Sequence, residues 1–357
     1  MNAYLSNKLK IISLISMIMV VFIHSYNITV NFKTGNVDFQ EGYNYFIQNF
    51  FKYGISRMAV PIFFCISGYL FFLKFQGSLR EFIQKYQKRA KSLVLPYVLW
   101  SFWGLAFFFI LQQVPQSKSF FTNDLIANYS FTKVLDTLFL NPIPYQLWFL
   151  RDLIVLVLFS SIIYLLIKHL KWIPLIVFLI LWLDLFDFSF VLFLEESILF
   201  FCLGAYISIH QSSLATQKLD SNKLWILSLI WILLILANTI LMQLHNNTVL
   251  AGLIHKTSIV FGIMALWSAY DLLMKHKECP GKWLLSISIF SFFLYAAHEP
   301  ILTMLKKGFI FILGTSQTTS LLAYFLVPLA TIFICLTMAY LLKKIAPGIY
   351  HILSGGR

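Results

Sequence analysis

Ten separate runs of roughly twenty predominantly apolar residues divide this chain, and they leave it few solvents other than lipid. A helix of about 20 residues crosses a hydrocarbon core of roughly 30 Å while satisfying its own backbone hydrogen bonds, which an open strand does not do. The runs fall near 9–29, 54–74, 92–113, 147–168, 172–190, 192–210, 223–244, 250–274, 284–305 and 320–343. Only Asp184, Asp187, Glu195 and Glu196 mark the turn between the fifth and sixth. The expected fold is all-α, a polytopic membrane helical bundle of about ten transmembrane helices. With 59% hydrophobic and 11% charged residues among 357, the chain has too little charge to wet a soluble surface. No soluble segment, repeat or low-complexity tract separates the runs, so 1–357 reads as a single integral-membrane domain.

The net charge of +13 suggests nucleic acid, but the basic residues lie in short connections and form no single face or tail, so no nucleic-acid partner is expected. Topology explains the excess better. If the N-terminus is cytoplasmic, that side carries eighteen of the 27 Lys and Arg and the opposite side nine, which gives an N-in, C-in bundle among membrane lipids. Cys65, Cys202, Cys279 and Cys335 form no CxxC pair and signal neither a disulfide nor zinc; no metal is expected. The first run lacks a small-residue cleavage site after it and is expected to stay as a helix.

Ionisable groups inside such runs are costly, and function is their default explanation. His24 interrupts IISLISMIMVVFIHSYN sixteen residues after Lys8, which places it about 24 Å along the helix from the cytoplasmic end. The plainer reading is an interfacial histidine, since Ser25, Tyr26 and Asn27 all suit a water boundary. Arg57 enters the second run one turn before Pro61, where a snorkelling anchor is the alternative, and Ser67–Gly68 later in that run permits close approach of a neighbouring helix. Arg151 and Asp152 open the fourth run side by side; adjacent residues do not face one another on a helix, so each needs its own partner. His298 and Glu299 meet in the ninth run just before Pro300, which frees the carbonyl of Ala296, so a kink and a polar pocket are expected there. The absence of a second histidine four residues on rules out HExxH. Two connections also stand out: the basic stretch Lys74–Lys91, with six basic residues and one acid, and the long polar stretch Val114–Gln146 that could cover the bundle.

Taken in order, VVFIHS, SRMAVPIFFCISGYLFF, a basic loop running into LPYVLW, LWFLRDLIVL and FSFFLYAAHEPIL resemble the acyltransferase 3 family of bacterial membrane proteins over nearly the whole chain. The resemblance implies an enzyme of about ten helices in the bacterial cytoplasmic (inner) membrane. Its expected reaction moves an acyl group, commonly acetyl, from cytoplasmic acyl-CoA to a hydroxyl or amine on a cell-envelope glycan or lipid-linked sugar. His24 matches the essential histidine that ends the first helix in that family. The arginine many members carry eleven residues earlier is Ser13 here, and of two arginines often found three apart before the third helix only Arg89 is retained, Ser92 standing at the second position.

On that reading His24 is the general base, because an imidazole with an ordinary pKa of about 6.5 titrates near working pH. Arg57, Arg151 and His298 are the residues expected to steady the oxyanion or orient His24, with Asp152 or Glu299 as acidic partners. Lys88, Arg89 and Lys91 are placed to meet the phosphates of the co-substrate acyl-CoA, with acetyl-CoA the expected form. Ser67 reads as a packing serine rather than a nucleophile. The competing reading is a non-enzymatic transporter or flippase of lipid-linked sugars, which would also carry buried charges and would show discontinuous, repeat-related helices.

Overall fold

The computed structural model describes residues 2–32, 35–115, 121, 124–184, 194–218, 221–245, 248–274 and 280–356. Asp187, Lys275, Lys277 and Cys279 lie outside the described residues. Among the described residues the chain is all-helical apart from one short hairpin, Thr29–Phe32 paired antiparallel with Gly35–Asp38. Its helices in order are α1 (Ala3–His24), α2 (Gly42–Asn49), α3 (Ala59–Phe72), α4 (Leu79–Arg89), α5 (Leu95–Gln113) and α6 (Phe131–Phe139). Next come α7 (Trp148–Leu158), α8 (Ser160–Leu170), α9 (Ile173–Trp182), α10 (Glu195–His210) and α11 (Ser221–Gln243). The last are α12 (Val249–Leu273), α13 (Lys282–Ser288), α14 (Ser291–Leu313), α15 (Gln317–Ile345) and α16 (Pro347–Leu353).

Among the described residues six helical runs are long and apolar enough to cross a membrane, and eight if each of two broken helix pairs counts as one span. The broken pairs, Tyr145–Leu158 with Ser160–Leu170 and Lys282–Ser288 with Ser291–Leu313, correspond to the fourth and ninth runs of the sequence. The fifth run appears as the ten-residue α9 and the sixth as the sixteen-residue α10. Two connections differ from the sequence reading. The basic stretch is not a loop: Ser78 and Glu81 form a capping box, α4 starts there, and it passes through a π-helical turn, Ala90–Val94, straight into α5. Pro96 follows that turn by two residues, where its missing N–H cannot continue the α-helical ladder. The stretch Val114–Gln146 contains α6, whose Phe131, Leu135 and Phe139 are all exposed on one face at i, i+4 and i+8.

The chain forms two compact units. The first comprises Met1–Met19, Tyr53–Ala90 and Asp152–Ile289. Its centre is the packing of α3 on α10, with α11 against α12 beside the buried Leu224, Leu227 and Ala265. A Cβ built on Gly68 would lie 2.0 Å from the Phe201 carbonyl oxygen, and one on Gly204 would lie 2.0 Å from that of Cys65. The two backbones therefore touch, and small residues are what allow it. Asp152 is fully buried and accepts from the Leu194 N–H at 3.1 Å and the Ser197 hydroxyl at 2.9 Å, which caps the N-terminus of α10. Arg57 pairs with Glu196 in the next position through two parallel bonds of 2.9 Å. Near the start of α1, Lys8 is buried against Asp271 at 2.7 Å, a pair also bonded by Tyr4.

The second unit comprises Val20–Lys52, Lys91–Arg151 and Phe290–Arg357. Here α15 packs along α14 and touches α2 and α16, and α5 packs on α6 and α16. Trp100 donates to the Leu353 carbonyl at 3.0 Å and Tyr97 to that of Phe139 at 2.9 Å, which ties α5 to both neighbours. Cys65, Cys202 and Cys335 are free thiols.

Gly68→Leu is expected to prevent folding, because overpacking against a fixed carbonyl costs about 1–3 kcal/mol or more. Gly308→Ala, with nothing within 4 Å of the added carbon, should be neutral. Size-exclusion profiles of the two variants in detergent check the contrast. Asp152→Ala should lower thermal stability by roughly 0.5–2 kcal/mol through the lost cap.

Candidate active site

α1 ends at His24, leaving carbonyls of its last turn without helical donors. Lys306 of α14 supplies one of them: its ammonium donates to the carbonyl of His24, and also to that of Tyr26 just beyond the helix end, each at 3.1 Å. A cation at a helix C-terminus also opposes the negative end of the helix dipole. The chain beyond is pinned by a buried amide network. Ser25 donates to the Tyr324 carbonyl at 2.7 Å, and Asn27 donates from Nδ2 to the Ser320 carbonyl at 3.1 Å. Gln48 donates to Asn27 Oδ1 at 2.9 Å and accepts from the Asn27 N–H at 3.0 Å. His24 is thereby held in position while its imidazole, half-buried, makes no hydrogen bond among the described residues.

α14 is broken where Pro300 enters. Glu299 has extended backbone angles of φ −104° and ψ 135°, and the Glu299–Pro300 peptide bond is cis. The Ala296 carbonyl, which a residue other than proline at 300 would have satisfied, accepts from Gln146 Nε2 at 3.2 Å. Tyr295 in turn donates to the Gln146 carbonyl at 2.8 Å. These reciprocal bonds fix the short turn Tyr145–Leu147 against α14 and set Tyr145 beside the break. Its hydroxyl donates to Glu299 Oε1 at 3.0 Å, and the Thr303 N–H donates to Oε2 at 3.3 Å.

The two imidazoles lie side by side, their ring centroids 5.3 Å apart and tilted by 36°. Tyr145 meets the His24 ring edge-on at 4.8 Å and keeps an exposed side, so the place is reachable from the surface. His298 itself is fully buried. Its Nδ1 faces two acceptors, the carbonyls of Tyr295 at 2.8 Å and Leu294 at 3.2 Å, so that nitrogen bears the proton and donates. In the neutral ring Nε2 is then a lone-pair acceptor, and it is buried with no partner among the described residues. A neutral imidazole held in one tautomer with an open nitrogen is the form a general base requires.

The structure thus brings together His24, His298 and Glu299 from the sequence reading. Arg151, in the same unit, donates from Nη1 to the Leu140 carbonyl at 3.0 Å, at the end of α6. Arg57 and Asp152 belong to the first unit, bonded to Glu196 and to the start of α10 as described above. Lys88 and Lys91 are exposed, whereas Arg89 lies 5.8 Å over the Phe71 ring. Tyr145, Gln146 and Lys306 were not singled out by the sequence. The sequence signal for Lys306 is the pair Lys306–Lys307, two charges embedded between apolar residues directly after the ninth run.

Comparison with known proteins adds to this arrangement. The chain is similar over its whole length to the succinoglycan biosynthesis protein ExoH of Rhizobium meliloti (strain 1021), with 23% identity over 361 residues, covering 100% of this chain and 94% of that protein. No solved structure matches it. The pattern of the acyltransferase domain matches residues 9–340, which spans both units and every residue of the histidine site, and the chain belongs to the acyltransferase 3 family.

Proposed function

We propose that this protein transfers an acyl group, acetyl in the simplest case, from cytoplasmic acyl-CoA to a hydroxyl of a cell-envelope polysaccharide or lipid-linked sugar. It would do so in the bacterial inner membrane, as a ten-span bundle with both ends in the cytoplasm. The observation that carries this reading is the pair of imidazoles, one of them locked as a neutral acceptor, beside a tyrosine–carboxylate pair in a membrane acyltransferase. The polysaccharide is favoured by the similarity to a protein of succinoglycan biosynthesis.

In the proposed step the acceptor hydroxyl attacks the thioester carbonyl while His24 takes its proton. The tetrahedral intermediate collapses with cleavage of the C–S bond, and the proton passes to the departing CoA thiolate, giving an ester and free CoA. His298 supports His24 through its open Nε2, either by hydrogen bonding to it or by sharing the proton. Tyr145, whose ring meets His24 edge-on, and Lys306, bonded to the His24 carbonyl, would steady the developing oxyanion. Lys88, Arg89 and Lys91 meet the CoA phosphates in this scheme, with Lys88 and Lys91 exposed for the purpose. Arg57, Arg151 and Asp152 are given positioning duties rather than contact with substrate, in keeping with their bonds to Glu196, Leu140 and the α10 terminus.

The break at Glu299 favours one second reading, a transporter of lipid-linked sugars, since discontinuous helices commonly form substrate sites in transporters. Acyl-CoA binding to proteoliposomes separates the two: the acyltransferase binds it and the transporter is indifferent.

Membranes with matched protein levels and labelled acetyl-CoA should transfer label to envelope glycans, and His24→Ala should lower the rate by about 10²- to 10⁴-fold. Equal rates in wild type and variant would remove His24 from the chemistry. Tyr145→Phe, which deletes the bond to Glu299, should cost about tenfold in kcat. Lys88→Ala combined with Lys91→Ala should raise KM for acyl-CoA and leave kcat nearly unchanged.

A further inference from the structure

From Pro300 to Arg357 the sequence contains no acidic residue, so the basic groups of that stretch have no local compensation. Lys343, Lys344 and His351 are all exposed there. Lys343 has no acidic partner among the described residues. Its ammonium lies instead over two rings, 5.5 Å from the centre of Phe290 and 5.7 Å from that of Tyr350.

These rings belong to a stack that ties α16 to its neighbours in the second unit. Tyr350 stacks on Phe293 at 6.0 Å, and Phe293 meets Trp100 of α5 edge-on at 5.4 Å. Trp100 returns to α16 through its bond to the Leu353 carbonyl. Past α16 the chain turns through Gly355 at φ +67°, where an added Cβ would lie 2.5 Å from the Ser92 carbonyl oxygen. Trp100, Phe293 and Tyr350 are buried, so Lys343 stands on packed rings and presents its charge outward from them.

The helix that begins after Phe290 also carries His298, eight residues further on. At about 1.5 Å per residue the imidazole lies about 12 Å along α14 from the ring under Lys343. In coenzyme A the pantetheine arm puts about twelve bonds between the sulfur and its phosphate ester oxygen, the length of about four extended residues or roughly 13–14 Å. An acyl group held at the imidazoles therefore brings the first phosphate of its carrier to the level of Lys343.

We propose that Lys343, with Lys344 and His351 exposed on the same basic segment, binds the pyrophosphate of the acyl-CoA donor and so sets the depth at which the thioester meets the imidazoles. The inference rests on the function proposed above, in which the donor is acyl-CoA and the C-terminal segment is cytoplasmic. Coenzyme A carries a 3′-phosphate as well as its pyrophosphate, so this subsite adds to Lys88, Arg89 and Lys91 and does not replace them. An ammonium without a carboxylate partner is a point charge free to meet phosphate, and such charge-assisted bonds are roughly twice as strong as neutral ones.

The test gives permeabilised membranes with matched amounts of the full-length protein a series of labelled donors: acetyl-pantetheine, acetyl-4′-phosphopantetheine and acetyl-CoA. In transfer to envelope glycans, KM for each phosphorylated donor should be about tenfold or more below that for acetyl-pantetheine. Lys343→Met should raise KM for both phosphorylated donors about tenfold and leave kcat nearly unchanged. Its unaltered use of acetyl-pantetheine excludes misfolding, and Lys343→Arg should keep most of the preference. Lys223→Met, which removes an exposed charge at the start of α11, should change none of these values. The subsite is overturned by a preference for phosphorylated donors that survives Lys343→Met, by a preference confined to acetyl-CoA, or by the same losses in Lys223→Met. It is overturned equally if Lys343→Met impairs acetyl-pantetheine as much as the phosphorylated donors.

Binding of 4′-phosphopantetheine to the purified protein is measured by thermophoresis in nanodiscs of phosphatidylcholine, with and without phosphatidylglycerol. Loss of binding by Lys343→Met in both supports the subsite. A Lys343→Met effect confined to the anionic nanodiscs assigns the lysine to a lipid headgroup and overturns it. Transfer by the wild type with no role for Lys343 would sink the subsite and leave the acyltransferase. Absence of transfer from every donor would sink the acyltransferase; binding that still depends on Lys343 would then leave a phosphate site alone, and no binding would remove both.

Discussion

A backbone polar group that loses its helical partner inside a membrane must find another within the protein, and the candidate active site is built from the places where this happens. α1 stops at His24, whose carbonyl is taken by Lys306 together with that of Tyr26 just beyond. α14 breaks at Glu299, and the carbonyl freed by Pro300 is taken by Gln146. Each repair brings in a side chain from elsewhere in the second unit, and each delivers an ionisable or hydroxyl group to the same spot. The chemistry of the site is in this sense a by-product of how the helices end.

The same logic explains the tautomer of His298. In the last turn before the break its Nδ1 lies against the carbonyls of Leu294 and Tyr295, which can only accept. The ring is thereby committed to one protonation pattern without any carboxylate partner, unlike a histidine oriented by an acid. Glu299, the adjacent acid, is occupied with Tyr145 instead.

Much of this was legible in the sequence, for identifiable reasons. An imidazole or a carboxylate in an apolar run is conspicuous, so His24, His298 and Glu299 stood out, and the rule for proline foretold the freed Ala296 carbonyl. Gly68 announced the close contact that α3 makes with α10. Partners were not legible, because they come from far along the chain: Tyr145 and Glu299 are separated by 154 positions and Lys306 and His24 by 282. Arg57 and Asp152 are conspicuous in the same way, and their partners too lie far along the chain. Their charge drew attention, yet Arg57 pairs with Glu196 and Asp152 caps α10, contacts specified by a helix start that a single sequence does not reveal. The charge density of the basic stretch suggests a loop, whereas the Ser78–Glu81 capping box begins a helix that runs on into α5.

Tyr145 and Gln146 sit where the long connection that carries α6 enters the broken pair of the fourth run, in a short turn of their own ahead of α7. The imidazoles and the carboxylate are carried by α1 and α14, while the tyrosine whose ring meets His24 and whose hydroxyl bonds Glu299 arrives at the end of a long connection, the kind of segment that tolerates change best. Such a division lets the catalytic centre stay constant while the approach to it is rebuilt. Descendants of this fold would diverge first in what they accept, by exchange or remodelling of one connection, and last in how they transfer it.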